Sequence, residues 1–192
     1  LDRFDPQSQS WSYFNMASTE RIPGISAIGG SHPIPSGAVR ALLEAQDGRI
    51  WVGTSAGVVV IGVDDQIVPV VDPLSAAGTP IRVRAHSLAE DPLGRIWIGS
   101  SDGLNLLSAQ GQWLATVGSM PASLPSGPIY ALRFRDDGSV WAAGTFGVCR
   151  SAQTQLPAEL LWTCFGEEDG LPAGTVYSLQ AAIDGSLWLG SG

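Results

Sequence analysis

At 192 residues with 44% apolar side chains, the chain is long enough to bury roughly 70% of its unfolded surface. Twenty-four glycines and thirteen prolines, with no lysine and ten arginines, favour tight turns and short strands over long helices. A formal charge of −8 with no basic run excludes a phosphate-tracking nucleic-acid surface, and no apolar run is long enough for a membrane-spanning helix.

Residues 1–14 read as strand, polar turn and strand, with the turn over residues 5–10. They open inside a repeat rather than in a charged-then-apolar leader, so no targeting segment is expected in the chain. Residues 16–37 form the longest irregular stretch. They hold Pro23, Gly24, Gly29, Gly30, His32, Pro33 and Pro35 without helical period, and a loop of this length is often functional. Three inter-repeat connections end alike, as Ile34-Pro35-Ser36-Gly37, Leu124-Pro125-Ser126-Gly127 and Leu171-Pro172-Ala173-Gly174. The proline and glycine set a turn into the next strand.

Four strands follow in register: Val39-Arg40-Ala41-Leu42, Ala85-His86-Ser87-Leu88, Ile129-Tyr130-Ala131-Leu132 and Val176-Tyr177-Ser178-Leu179. A small residue followed by leucine suits sheets packed closely face to face. Hairpin turns come next at Asp47-Gly48, Leu93-Gly94, Asp137-Gly138 and Asp184-Gly185. Each turn leads to a short apolar strand carrying Trp51, Trp97, Trp141 or Trp188, spaced by 46, 44 and 47 residues. These four tryptophans are expected as core anchors. Third and fourth strands complete each unit, with Trp11, Trp113 and Trp162 at matching places.

This period predicts an all-β fold, a β-propeller of four-stranded antiparallel blades. The expected blades cover about 38–71, 81–117, 129–165 and 176–192, the last completed by residues 1–15 in one propeller segment spanning 1–192. Ring closure by the N-terminal strands would remove the open sheet edges. It would give either four blades in one chain or eight in a pair of chains. Cys149 and Cys164 fall on neighbouring strands of one hairpin, which leaves a disulfide and two buried thiols as alternatives.

The composite pattern is Leu-Pro-x-Gly, then apolar-x-Ala/Ser-Leu, then Asp-Gly-x-apolar-Trp-apolar-Gly-Thr/Ser-x-x-Gly-Leu/Val. It resembles the two-component regulator propeller repeat, best at residues 87–104 and 170–191. The resemblance implies part of the extracytoplasmic, periplasmic sensor region of a bacterial hybrid two-component sensor or similar signalling protein. It implies a non-catalytic scaffold for recognising a small ligand or a neighbouring signalling domain. Self-association through blade edges is a further expectation, whereas nucleic-acid binding and membrane insertion by this segment are not expected.

Residues 53–57 and 99–103 fit G-x-S-x-G, but a nucleophile elbow needs a helix after it, and here a strand follows. The third copy, 143–147, has no serine, so no catalytic serine is expected. Two histidines and the short Asp136-Asp137-Gly138 run do not make a metal site, and no cofactor is expected. The runner-up is a propeller lyase or hydrolase of the antibiotic-lyase type, and a purely structural repeat module is a third reading. One constellation stands out: Arg40, His86, Tyr130 and Tyr177 occupy the second position of the first strands. In a ring they would encircle one mouth of the central channel, and with His32 of the long loop they are the candidate ligand-binding residues.

Overall fold

A computed structural model describes residues 1–13, 26–27, 38–71, 81–116, 124–151 and 161–192. The long 16–37 loop, His32 included, therefore falls almost wholly outside the described residues. The chain starts with the antiparallel hairpin β1 (Asp2–Asp5) and β2 (Ser10–Tyr13), beside which β3 (Ser26–Ala27) runs parallel. Blade one is β4 (Val39–Glu44), β5 (Ile50–Thr54), β6 (Val58–Ile61) and β7 (Ile67–Pro69). Blade two is β8 (Ala85–Glu90), β9 (Ile96–Ser100), β10 (Gly103–Leu107) and β11 (Trp113–Thr116). Blade three is β12 (Ile129–Phe134), β13 (Val140–Gly144), β14 (Gly147–Ser151) and β15 (Trp162–Phe165). A 3₁₀ turn, Glu167–Asp169, leads to the two-stranded sheet of β16 (Val176–Ala181) and β17 (Leu187–Ser191). The three blades are antiparallel sheets with strands in sequence order, and the fold is a β-propeller.

The hairpin turns form for local reasons. Gly48, Gly94, Gly138 and Gly185 all take φ between 75 and 88°, a region open chiefly to glycine. The preceding aspartate then caps the turn: Asp47, Asp137 and Asp184 each accept the backbone N–H two residues on. Blade two solves the same problem differently. Asp91, two positions earlier than the missing turn aspartate, accepts from the N–H groups of Leu93 and Arg95, from Arg95 Nε at 2.6 Å and from Trp97 Nε1 at 2.9 Å. Its side chain is fully buried.

The blades pack by one rule. The tryptophan of each β-sheet lies against the leucine of the next: Trp51 in a cluster with Leu88, Trp97 with Leu132, and Trp141 with Leu179. Burial of such a pair contributes about 1.5–3 kcal/mol per side chain. Close approach requires small residues at the seam. A Cβ on Gly99 would stand 2.8 Å from Ile129 Cγ2 and 2.9 Å from the Ile129 carbonyl oxygen, so glycine is needed where blade two meets blade three.

Two expectations change. Trp51 and Trp97 are fully buried and Trp141 is half-buried, but Trp188 is 69% exposed, so the anchor role does not extend to it. No further sheet covers its face among the described residues. The N-terminal strands also do not complete the last sheet: neither β1 nor β2 pairs with β16 or β17 among the described residues. They are engaged elsewhere. Arg3 makes a two-pronged ion pair with Asp65 of blade one, at 2.7 and 3.1 Å, and Leu1 packs on the cluster of Val52, Val59, Ile61 and Ile67. The hairpin thus occupies the position before blade one, and a three-stranded and a two-stranded sheet flank the three full blades.

A candidate ligand-binding mouth

Each first strand carries a β-bulge at the same place. The register shifts between Val39 and Ala41, between Ala85 and Ser87, between Ile129 and Ala131, and between Val176 and Ser178. The extra residues are therefore Arg40, His86, Tyr130 and Tyr177. A bulge bends its strand and re-aims the unpaired side chain, which is why bulges gather at barrel rims and next to sites. Because β4, β8, β12 and β16 pack side by side, the four residues form one strip. The His86 and Tyr130 rings meet edge to face at 4.9 Å, and Tyr130 and Tyr177 lie 5.1 Å apart. Arg40 continues the strip on the other side, close enough for its charge to act on His86. The structure thus brings together the four candidates that lie among the described residues.

The turns between second and third strands rise at the same end. Ser55 N–H donates to the Ala38 carbonyl and Ser101 N–H to the Arg84 carbonyl, which ties each turn to the start of its first strand. Ser101 Oγ lies 2.9 Å from His86 Nε2. Between blades one and two these turns enclose an open cavity of about 590 Å³, lined by Ser55, Ala56, Arg82, Arg84, Ser101 and Asp102. Burial, followed by the charges of Arg40 and Arg84, holds the His86 imidazole below its ordinary 6.5.

Arg82, Arg84 and Ser101 were missed by sequence reasoning. Arg82 and Arg84 stand two apart ahead of β8, a spacing that places both on one side of an extended chain, and this was the available signal. Ser101 belongs to the second G-x-S-x-G copy. That motif forms a strand-to-strand turn in which Ser100 Oγ donates to the Gly103 carbonyl. No carboxylate contacts the His86 ring among the described residues, so Ser101 and His86 are a pair without the third, orienting member of a triad. Among the described residues no group of three His, Cys, Asp or Glu side chains could hold a metal.

Away from the mouth, Cys149 and Cys164 face each other across β14 and β15 and are joined as a disulfide. Between the alternatives left open by the sequence, the structure has the bonded form. No helix among the described residues is long and apolar enough to cross a membrane.

Residues 33–56 and 80–102 match the family described as two component regulator propeller. No curated protein matches the sequence. Among solved structures, the chain is similar to the extracellular domain of BT4673 from B. thetaiotaomicron, described as a hybrid two component system. The identity is 18%, the TM-score 0.70, and the match covers 100% of this chain and 23% of that one. The extracellular domain of BT3049 from the same organism matches at 18% identity and TM-score 0.63, over 99% of this chain and 22% of that one. Virginiamycin B lyase from Staphylococcus aureus matches at 12% identity and TM-score 0.57, over 80% of this chain and 48% of the enzyme. The chain thus spans less than a quarter of the first two relatives' length.

Proposed function

From a chain that carries two-component regulator propeller repeats, we propose a non-catalytic recognition segment of an extracytoplasmic sensor, with the bulge-built mouth as its ligand-binding surface. The observation that carries this reading is the strip itself. Four bulges at equivalent positions turn one arginine, one histidine and two tyrosines toward a common wall, where packing alone would be served by apolar residues. The disulfide supports an oxidising compartment, and the similar domains of B. thetaiotaomicron are extracellular.

A thermal-shift screen of small molecules tests the reading. Stabilising hits are expected to lose their effect in Tyr177→Ala and Arg40→Ala, both exposed positions, with the unliganded unfolding midpoint of each variant close to that of wild type. Hits that act equally on wild type and both variants would place recognition elsewhere.

The scaffold role extends to the flanks. Leu42 is 55% and Trp188 69% exposed, and inside the chain the equivalent leucine and tryptophan positions are joined three times. The occupant that fits is another sheet of the same repeat, which for the purified chain means a second copy. Light scattering is expected to show mass rising with concentration in wild type and staying at one chain in Trp188→Glu.

A second reading, a hydrolase or lyase, is favoured by the 2.9 Å Ser101–His86 contact and by the likeness to virginiamycin B lyase. It ranks lower because, among the described residues, no carboxylate orients the imidazole. Labelling by a fluorophosphonate at Ser101, absent in Ser101→Ala, would reverse the ranking.

A further inference from the structure

We propose that the mouth seats the anionic group of a small ligand, a carboxylate or a sulfate, among Arg40, Arg82 and Arg84. This rests on the recognition reading above and names the chemistry it serves. The inference comes from how the arginines are spent. Arg3, Arg49, Arg95 and Arg150 pair with Asp65, Asp47, Asp91 and Asp137. Arg133 and Arg135 donate to the carbonyls of Leu132 and Gly185. The guanidinium groups of Arg40, Arg82 and Arg84 make no ion pair or hydrogen bond to any described residue, in a chain with 18 acidic side chains available to neutralise them.

The two ends of the blades are therefore unlike. At the end formed by the Asp-Gly turns, Arg49, Arg95 and Arg150 each meet an aspartate. At the mouth, Arg82 and Arg84 share one cavity, and Arg40 and Arg84 both act on His86. Two guanidinium groups in one cavity, with Arg40 acting on the same histidine as Arg84, concentrate positive charge at the mouth, and a bound anion offsets it while accepting paired N–H donors from a planar fork. Ser55 and Ser101 add neutral hydroxyls to the cavity wall.

Acids bound the site. Asp102 stands exposed in the lining, and the acidic turn Glu167–Asp169 follows blade three. A ligand with one anionic end and a neutral body would set that end on the arginines, away from Asp102, and lay its body along the uncharged rings of Tyr130 and Tyr177.

The test uses sodium sulfate, then benzoate against its neutral isostere benzamide, with ionic strength held constant by sodium chloride. Thermal stability is expected to rise saturably with sulfate and benzoate in the millimolar range. Apparent affinity should fall at least tenfold in Arg84→Gln and further in Arg40→Gln/Arg84→Gln, with no change in Arg135→Gln, whose side chain serves the opposite end. Equal unfolding midpoints of wild type and Arg84→Gln without anion would show the fold intact. A response that does not saturate, or that survives in the double variant, overturns the proposal. Neutral hits that depend on Tyr177 while sulfate and benzoate give nothing would also overturn it, yet would leave the recognition reading standing.

Discussion

Trp97 and Trp188 occupy the same place in the same motif, each on the second strand of its sheet, opposite Ala89 and Gln180 in matching register. Trp97 is fully buried and Trp188 is 69% exposed. The repeat therefore supplies a tryptophan but does not bury it; the next sheet does. Trp97 has Leu132 and Phe134 of blade three over it, the latter edge to face at 5.5 Å, and Asp91 on its indole nitrogen. Half-buried Trp141 falls between, since the sheet that follows it has only two strands. Leu42 is the mirror image at the other flank, exposed because the hairpin before blade one does not cover it.

The largest effect that would break this comparison is removal of the indole. Trp97→Ala is expected to lower stability by about 3–5 kcal/mol, and Trp188→Ala by no more than about 0.5 kcal/mol, both read from urea midpoints. Equal effects would mean that the repeat, not its neighbour, sets the energy. Next comes the buried aspartate. Asp91→Ala removes the carboxylate that accepts from Arg95 Nε, Trp97 Nε1 and two backbone N–H groups, and a loss of about 3 kcal/mol is expected. Asp47→Ala, at a half-exposed ion pair, should cost about 1 kcal/mol or less, because solvent screens it.

Blade three sharpens the comparison at its outer edge. The disulfide closes a loop of 15 residues, for which chain entropy gives about 3 kcal/mol. Reduction, or Cys164→Ser, should lower the urea midpoint accordingly while leaving burial of Trp97 fluorescence unchanged in the folded state.

The smallest effect is on pH. The folded-state His86 pKa lies below its ordinary 6.5, so the unfolded chain binds more protons there. Stability from this group is complete above pH 6.5 and is lost as pH falls through the depressed value. His86→Gln should flatten that slope between pH 7.5 and 5.5. The turn aspartates Asp47, Asp137 and Asp184 have pKa values lowered below 3.8, chiefly by side-chain hydrogen bonds from Arg49, Ser139 and Ser186 respectively. They act only in stronger acid.

What the sequence made legible follows from periodicity. Register across copies located the first strands, the glycine turns and the second-position residues, because a repeat states the same local chemistry several times. Departures from the repeat were harder to read. In blade two, Leu93-Gly94 looked like a turn without its aspartate; the carboxylate had moved to Asp91, and only the folded turn shows that it reaches the same N–H groups and an indole as well. Arg82 and Arg84 precede the repeated segment, so no copy-to-copy comparison drew attention to them. Closure was the least legible. It depends on how far each interface turns its sheet and on what else the terminal strands can grip, here Asp65 and the cluster under Leu1.

The tryptophan-to-leucine rule gives the molecule a direction, and its energetics resemble a short one-dimensional lattice in which each unit is held mainly by its nearest neighbours. Such a lattice frays from its ends. Amide protons of β17 should exchange with solvent first, and those of β9 and β13, each with a sheet on both sides, should exchange last and together report the cooperative opening of the middle of the row.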